Sequence, residues 1–428
     1  MEKVIDYILR FLLRENTALI SRVGYTSDEE RFHLYDIVIV PSRFFDESIY
    51  GTKQSEPTLP LSQISGTPLL FGDNRIEKRG QTTIVHADII ASTYYLISRY
   101  EEYIHSNENR DKHGRFMGKS SIAFRAGFLH RPIVEEYSDL VLHWLSDAGH
   151  TITYSAPNFS RIYLTHDVDT LTQYRHLRGF LGGLKRNITS RSGLTTLFQS
   201  LLGVEKDPAF TFPWMVKQDA TVKGASVIYF IKAALHPHRC DLPCYSLKSK
   251  DAKHLFSMIK DSNAQLGIHT SYTSGENSAE IHSEKEKLET CLQEGVTCNR
   301  WHFLRTLQPS DFESLIQCGI TDDFSMGYAD VTGFRLGTCR PVRWINPRTK
   351  EVTDLTLHPL VAMDCTLSNE YYMNLSGEEA FDHVRQLLNE IKRHNGEAVL
   401  LWHNTIFSSI EKNYHRKLYP QILNELKA

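Results

Sequence analysis

From residue 160 onward, short apolar segments alternate with helical ones, and this alternation constrains the chain more than any other feature. A strand that feeds a helix and then another strand builds a parallel sheet with helices packed on its faces. The expected strands are 162–165, 226–231, 266–268, 297–303, 320–322, 342–345 and 397–402, with helices at 249–263, 283–295, 309–318 and 376–395. The last helix opens on Ser376-x-x-Glu379, a capping box in which two side chains satisfy the first free amides. About seven β/α units across residues 160–428 fit an α/β barrel or partial barrel better than a small open sheet.

Residues 1–150 read differently. An opening helix with a stripe at Val4, Ile5, Ile8, Phe11 and Leu12 is followed by a strand at 35–40 and a polar, turn-rich stretch at 46–80. A long helix is expected at 88–105, with Asp88 as its N-cap, and another at 131–149, with Pro132 in its first turn. This pattern predicts a smaller α/β domain ahead of the barrel. Charges at Glu2, Lys3, Asp6, Arg10, Arg14 and Glu15 interrupt any export-type apolar run, so a cytoplasmic protein is expected. No uncharged apolar run approaches the ~18 residues of a membrane span.

Composition narrows the functional classes. Lys and Arg number 48 against 51 Asp and Glu, a formal charge of −3, which leaves no basic footprint for nucleic acid. Apolar residues at 41% and charged residues at 23% exclude wholesale disorder. Among the seven Cys only Cys240 and Cys244 lie close together, so reduced thiols are expected rather than a zinc ribbon. Twenty His make metal or acid–base chemistry worth a search.

That search ends at the C-terminal ends of the expected strands, the edge that carries active-site loops in such folds. The first delivers His166, Asp167, Val168 and Asp169; later ones deliver His269, then Arg300, His302 and Arg305, then Asp322, Asp323 and Ser325, and finally His403 and Asn404. Asp167 and Asp169 stand two apart after a strand and project to one side. Like charges that close require a cation or raise one pKa, which suits one carboxylate as metal ligand and the other as base. Trp301 and Phe303 flank Arg300 with apolar bulk, and a buried Arg needs a carboxylate, for which Asp167 is the candidate. His403 ends an otherwise apolar strand, where a buried imidazole must be hydrogen-bonded or functional. Asp323 and Ser325 are candidate substrate contacts, and Trp214, in the aromatic run 207–214, is expected at the pocket rim, with core packing the commoner role of such a cluster. The polar segments Ser98 to Glu102 and Arg110 to Phe116 read as ordinary surface or interdomain packing.

In order and spacing, these motifs resemble those of the NodB-type polysaccharide deacetylases, carbohydrate esterase family four. The carriers are Thr165-His166-Asp167-Val168-Asp169, His269-Thr270-Ser271-Tyr272-Thr273, Arg300-Trp301-His302-Phe303, Asp322-Asp323-Phe324-Ser325 and Leu401-Trp402-His403. Residues 1–150 resemble the additional domain of a Bacteroidetes subgroup. The resemblance implies a distorted (β/α) barrel with a divalent metal, commonly zinc. It implies Asp167 as general base, Asp169 and His269 as metal ligands, Arg300 as the group that orients the base, and His403 as general acid. The reaction implied is hydrolysis of an acetyl group from an N-acetylated sugar in a glycan or its precursor. One departure stands out: the family's second metal-binding His is Thr273 here, and His302 is the expected replacement ligand. An O-deacetylase on the same scaffold, or a non-catalytic glycan-binding protein with a degenerate site, are the alternatives.

Overall fold

The computed structural model of the chain describes residues 1–187, 190–307, 311–408, 410 and 413–427. Among these, six short strands precede residue 150: β1 (Val23–Tyr25), β2 (Ile37–Ile39), β3 (Ser62–Ile64), β4 (Thr67–Leu69), β5 (Gly72–Arg79) and β6 (Thr82–Ala87). They form a four-stranded sheet in the order β1-β2-β6-β5 and a separate β3-β4 hairpin. The stretch 46–80, expected to be loop, therefore holds strands. Ser65 (φ 49°) and Gly66 (φ 83°) make the two-residue hairpin turn, since left-handed residues match the twist of the strands they join.

Nine strands follow: β7 (Arg161–Val168), β8 (Ser226–Lys232), β9 (Gln265–Thr270), β10 (Cys298–Trp301), β11 (Asp322–Asp323), β12 (Val342–Asn346), β13 (Glu351–Leu357), β14 (Leu360–Met363) and β15 (Glu397–Leu401). They form one sheet, β12-β13-β11-β10-β9-β8-β7-β15-β14. All neighbouring pairs are parallel except β12 with β13. The expected barrel of about seven strands is thus an open nine-stranded sheet, and among the described residues β12 and β14 do not pair to close it. The two unexpected strands have weak signals: β13 is half-exposed, and β14 has only four residues.

The helices behave as amphipathic covers. Gly377–Arg393 starts on the Ser376/Glu379 capping box and buries Ala380, Val384, Leu387, Leu388 and Ile391. Lys250–Asp261 and Ser278–Leu292 fill the other expected positions, and Asp311–Gln317 fills the described part of 309–318, whose first two residues lie outside the described set. Among the described residues no helix is long and apolar enough to cross a membrane. The expected helix 88–105 is broken into Ile89–Ile97 and Tyr100–Ile104 at Arg99, whose φ is 58°. The break serves a buried ion network. Glu102, also buried, accepts from Arg99 at 2.5 Å and from Arg335, beyond β11, at 2.8 Å. Burial opposes its ionisation, but Arg335 and Arg99 together hold the carboxyl well below the usual range. The main apolar core runs from Val4 to Leu426, so the first 150 residues and the large sheet share it.

Removing one partner of a buried ion network leaves the rest uncompensated. Glu102→Gln should lower the unfolding free energy by about 3–5 kcal/mol. Replacing Glu29, which pairs with Arg79 in the open, should leave the denaturation midpoint where it was. Equal midpoints for both variants would refute the role given to Glu102.

Candidate functional site

Because the central strands are parallel, their C-terminal ends share one edge, and the sheet's register brings the chemistry together there. His269 on β9 lies beside Arg300 on β10, while Asp167 on β7 lies beside Phe230 on β8. Arg300 is fully buried, its guanidinium 4.7 Å from the Phe230 ring centroid and 3.4 Å from Asp167 Oδ1. Its Nε donates to the Phe324 carbonyl at 3.2 Å. Burial presses this guanidinium's pKa down, and the charges of Asp167 and Asp323 resist that pressure. Asp167 Oδ2 lies 3.6 Å from His269 Nε2 and 3.8 Å from His403 Nε2.

Asp169 gathers the imidazoles. Its Oδ1 is 3.3 Å from His269 Nε2 and 3.4 Å from His302 Nε2, and its Oδ2 is 3.7 Å from His403 Nε2. Burial would raise its pKa, but His302, His269 and His403 hold the carboxyl well below the ordinary value. His269 donates from Nδ1 to the Arg300 carbonyl at 2.8 Å, which fixes its tautomer and turns Nε2 into the cleft. His302 is fixed by Nδ1 against Asp241 Oδ1 at 2.7 Å. Asp241 is itself buried and also accepts the Tyr272 amide at 2.9 Å.

These atoms fit a divalent cation. The ligating atoms of Asp169, His269 and His302 lie within 4.8 Å of one another. Asp169 Oδ1 and His269 Nε2 are buried without a well-aligned hydrogen-bond partner, a costly state unless something else satisfies them. Two ligands ~2.0–2.1 Å from a tetrahedral ion stand ~3.3–3.4 Å apart, and that is the spacing of Asp169 from each imidazole. Thr273, where the sequence resemblance leads one to look for a second His, directs its hydroxyl to Glu280 at 3.2 Å.

His403 has a separate support. Its Nδ1 bonds Asp364 Oδ1 at 2.8 Å and its amide bonds Asp364 Oδ2 at 2.6 Å, with the Cys365 thiol 3.9 Å from Nδ1. Burial works against a charged ring, yet Asp364 beside it holds the imidazole proton well above its usual range. Asp364, Cys365 and His403 also cluster closely enough to suggest a second metal group. However, Nδ1 is already committed to Asp364, and burial raises the thiol, so the trio reads as a held acid.

A cavity of about 260 Å³ opens over Asp167, Asp169, His302 and His403, with Phe303, Leu304, Met363 and Tyr372 as its apolar and aromatic walls. Phe303 (φ 63°) and Leu304 (φ 53°) hold left-handed backbone directly after His302, a strain of the kind kept at functional sites. Arg115, from the first 150 residues, also reaches the cavity and is locked by Asp111, the Phe303 carbonyl and the Tyr372 hydroxyl at 2.6–2.9 Å.

Three expected contacts lie elsewhere. Asp323 is fully buried beneath the site, where it accepts from Asn299 at 2.7 Å and from the Ser325 amide at 2.9 Å. Ser325 is equally buried and accepts the Trp301 amide at 2.9 Å. Both brace β10 and neither lines the cavity. Trp214 packs on Phe407 at 4.7 Å and under Arg416, away from the cavity, because its helix Phe212–Asp219 turns that side chain toward the C-terminal helix. Sequence reasoning missed Asp241, Asp364, Cys365 and Tyr372, and took Arg115 only as part of a packing cluster. Asp364 had a readable signal, an apolar run Leu-Val-Ala-Met ending in an acid; the others had none.

Comparison with known proteins adds the following. A family model described as a family of unknown function (DUF7033) matches residues 2–150. No curated protein matches the chain. Among solved structures, it is similar to a protein assigned as a polysaccharide deacetylase from Mycobacterium smegmatis, at 13% identity and a TM-score of 0.41, over 65% of this chain and 87% of that one. It is also similar to the PuuE allantoinase, at 10% identity and 0.38, over 64% and 88%. A third is the wild-type pseudoenzyme of the CE4 family from Bacillus anthracis, at 12% identity and 0.29, over 64% and 63%.

If the three ligands share one ion, His302→Ala should weaken zinc binding by about as much as His269→Ala. Asp241→Asn, which loosens His302 without removing it, should cost about 10–100-fold in affinity. Competition against a metallochromic chelator measures both. A His302→Ala protein that binds zinc as tightly as the parent would place the third ligand elsewhere.

Proposed function

We propose that this cleft hydrolyses the acyl group of an N-acylated sugar, as a metal-dependent deacylase in which Asp169, His269 and His302 hold the ion. The observation that carries the reading is the opposition of two differently partnered groups across one small cavity. Asp167 is paired with a buried arginine, and His403 is kept protonated by Asp364. Such a pair supplies a base and an acid at the same pH.

A divalent cation bound to these ligands polarises an acyl carbonyl and makes water more acidic. Asp167 takes a proton from the attacking water while Arg300 holds its other oxygen and keeps the carboxylate turned into the cleft. His403 donates from Nε2 to the departing amine, and Asp364 holds Nδ1 so that the proton is presented at the right nitrogen. Phe303 and Tyr372 offer flat faces to a sugar ring. Residues 1–150 are read as an accessory α/β unit that lends Arg115 to the wall of the cleft.

Thr273 favours a second reading, a glycan-binding protein with a degenerate site, since the usual ligand is missing there. Turnover decides between the two. With zinc-loaded protein and N-acetylated hexosamine substrates, release of acetate is expected, and Asp167→Asn should slow it by roughly two or more orders of magnitude while zinc stays bound. Saturable sugar binding without acetate release would favour the second reading.

The pH profile tests the acid. Because the folded pKa of His403 is raised, its protonated form persists above neutrality and the alkaline limb of kcat/KM should lie well above pH 6.5. Asp364→Asn removes the charge that holds the proton, so this limb should shift down toward neutrality while the acid limb stays in place. An alkaline limb that does not move would remove His403 from the role of acid.

A further inference from the structure

Between β7 and β8 the chain builds a helical hairpin, Leu177–Asn187 and Arg191–Leu202. Its base is pinned. Asp207 accepts the amides of Gln173 and Tyr174 at 2.7 and 2.9 Å and the Ser200 hydroxyl at 2.6 Å. Arg175 pairs with Asp251 at 2.8 Å and donates to the Ser200 carbonyl at 2.6 Å. The two helices touch through Phe180 and Phe198, with ring centroids 6.2 Å apart, and through the close approach of Gly183 to Leu197.

Around that seam, the hairpin leaves apolar side chains in the open: Leu177 at 75%, Leu181 at 54%, the outer part of Phe198 at 52%, Leu201 at 48% and Leu202 at 80% exposure. Single exposed apolar residues are ordinary on protein surfaces, but five on one hairpin mark a contact surface. The charge pattern is equally biased. From residue 170 through 204 the sequence contains no Asp or Glu, yet it carries Arg175, Arg178, Lys185, Arg186 and Arg191 in a chain of net charge −3. Arg178, Lys185 and Arg186 are exposed.

We propose that this hairpin is an interfacial anchor that seats the protein on an anionic lipid bilayer. Leucine and phenylalanine side chains suit the acyl boundary, and Arg and Lys beside them suit anionic headgroups. A second copy of the chain would present the same uncompensated cations, so charge opposes self-pairing through this face. At 11 and 12 residues the helices are too short to span a bilayer, which takes ~20 residues, and they lie in its surface instead. The hairpin follows Asp169 by a few residues and leaves the sheet at the same edge as the cleft, so the anchor brings the cleft to the membrane face.

The test is sedimentation of the full chain with sonicated vesicles of phosphatidylcholine alone or with one-third phosphatidylglycerol. Binding to the anionic vesicles is expected, with little to the neutral ones, and it should weaken as salt rises. Arg178→Glu and Lys185→Glu should each weaken it by at least roughly fivefold. The double variant Leu177→Glu/Leu202→Glu should abolish it while circular dichroism and zinc binding stay as in the parent. Failure to bind anionic vesicles at low salt would overturn the proposal, as would hairpin variants that bind like the parent. So would a dimer in sedimentation velocity that Leu202→Glu converts to monomer, because the face would then be a subunit contact.

Discussion

Two carboxylates two residues apart at the end of a central strand cannot both stay ionised in a buried cleft without nearby positive charge. Asp167 and Asp169 occupy that position, and much of the surrounding edge is arranged to answer them. A fully buried arginine faces one, and three imidazoles approach the other within 3.3–3.7 Å. The parallel sheet makes this possible, because β7, β9, β10 and β15 deliver their last residues to the same edge.

Behind these groups sits a layer of partners that decides what each imidazole can do. A backbone carbonyl orients His269, whereas carboxylates orient His302 and His403. Both carboxylates favour the charged ring, but the net results differ. At His302 burial outweighs the pull of Asp169 and Asp241, so its pKa is lowered and Nε2 is ready to bind a cation. Asp364 leaves His403 charged and ready to give up a proton. His302 and His403 thus differ by environment, while at His269 the charges of Asp167 and Asp169 outweigh burial and raise the pKa.

The strand ends were legible in the sequence because apolar runs stop abruptly at His, Asp or Arg, and Asp167, Asp169, His269, Arg300, His302 and His403 all converge in space. Their partners were less legible. Asp241 reaches His302 from a loop sixty-one positions away, and no period or spacing in sequence encodes that contact. Asp364 follows a strand of only four residues, whose apolar run was its one readable signal. The errors have physical causes too: Asp323 and Ser325 end a strand as the others do, but their polar atoms turn inward to each other and to Asn299 and Trp301, so position alone misread structural bracing as substrate contact. The open sheet departed from the expected barrel because β13 and β14 extend it while its end strands, β12 and β14, do not pair among the described residues.

Arg115 and the network around Glu102 tie the first 150 residues to this edge, so the cleft depends on both parts of the chain. The centre of the reading is still the cation that Asp169, His269 and His302 are arranged to receive. Anomalous diffraction at the zinc absorption edge, from crystals grown with zinc, locates that ion directly. A single peak within coordination distance of Asp169, His269 and His302 is the expected result. A peak at Asp364, Cys365 and His403 instead, or none in the cleft at saturating zinc, would contradict it.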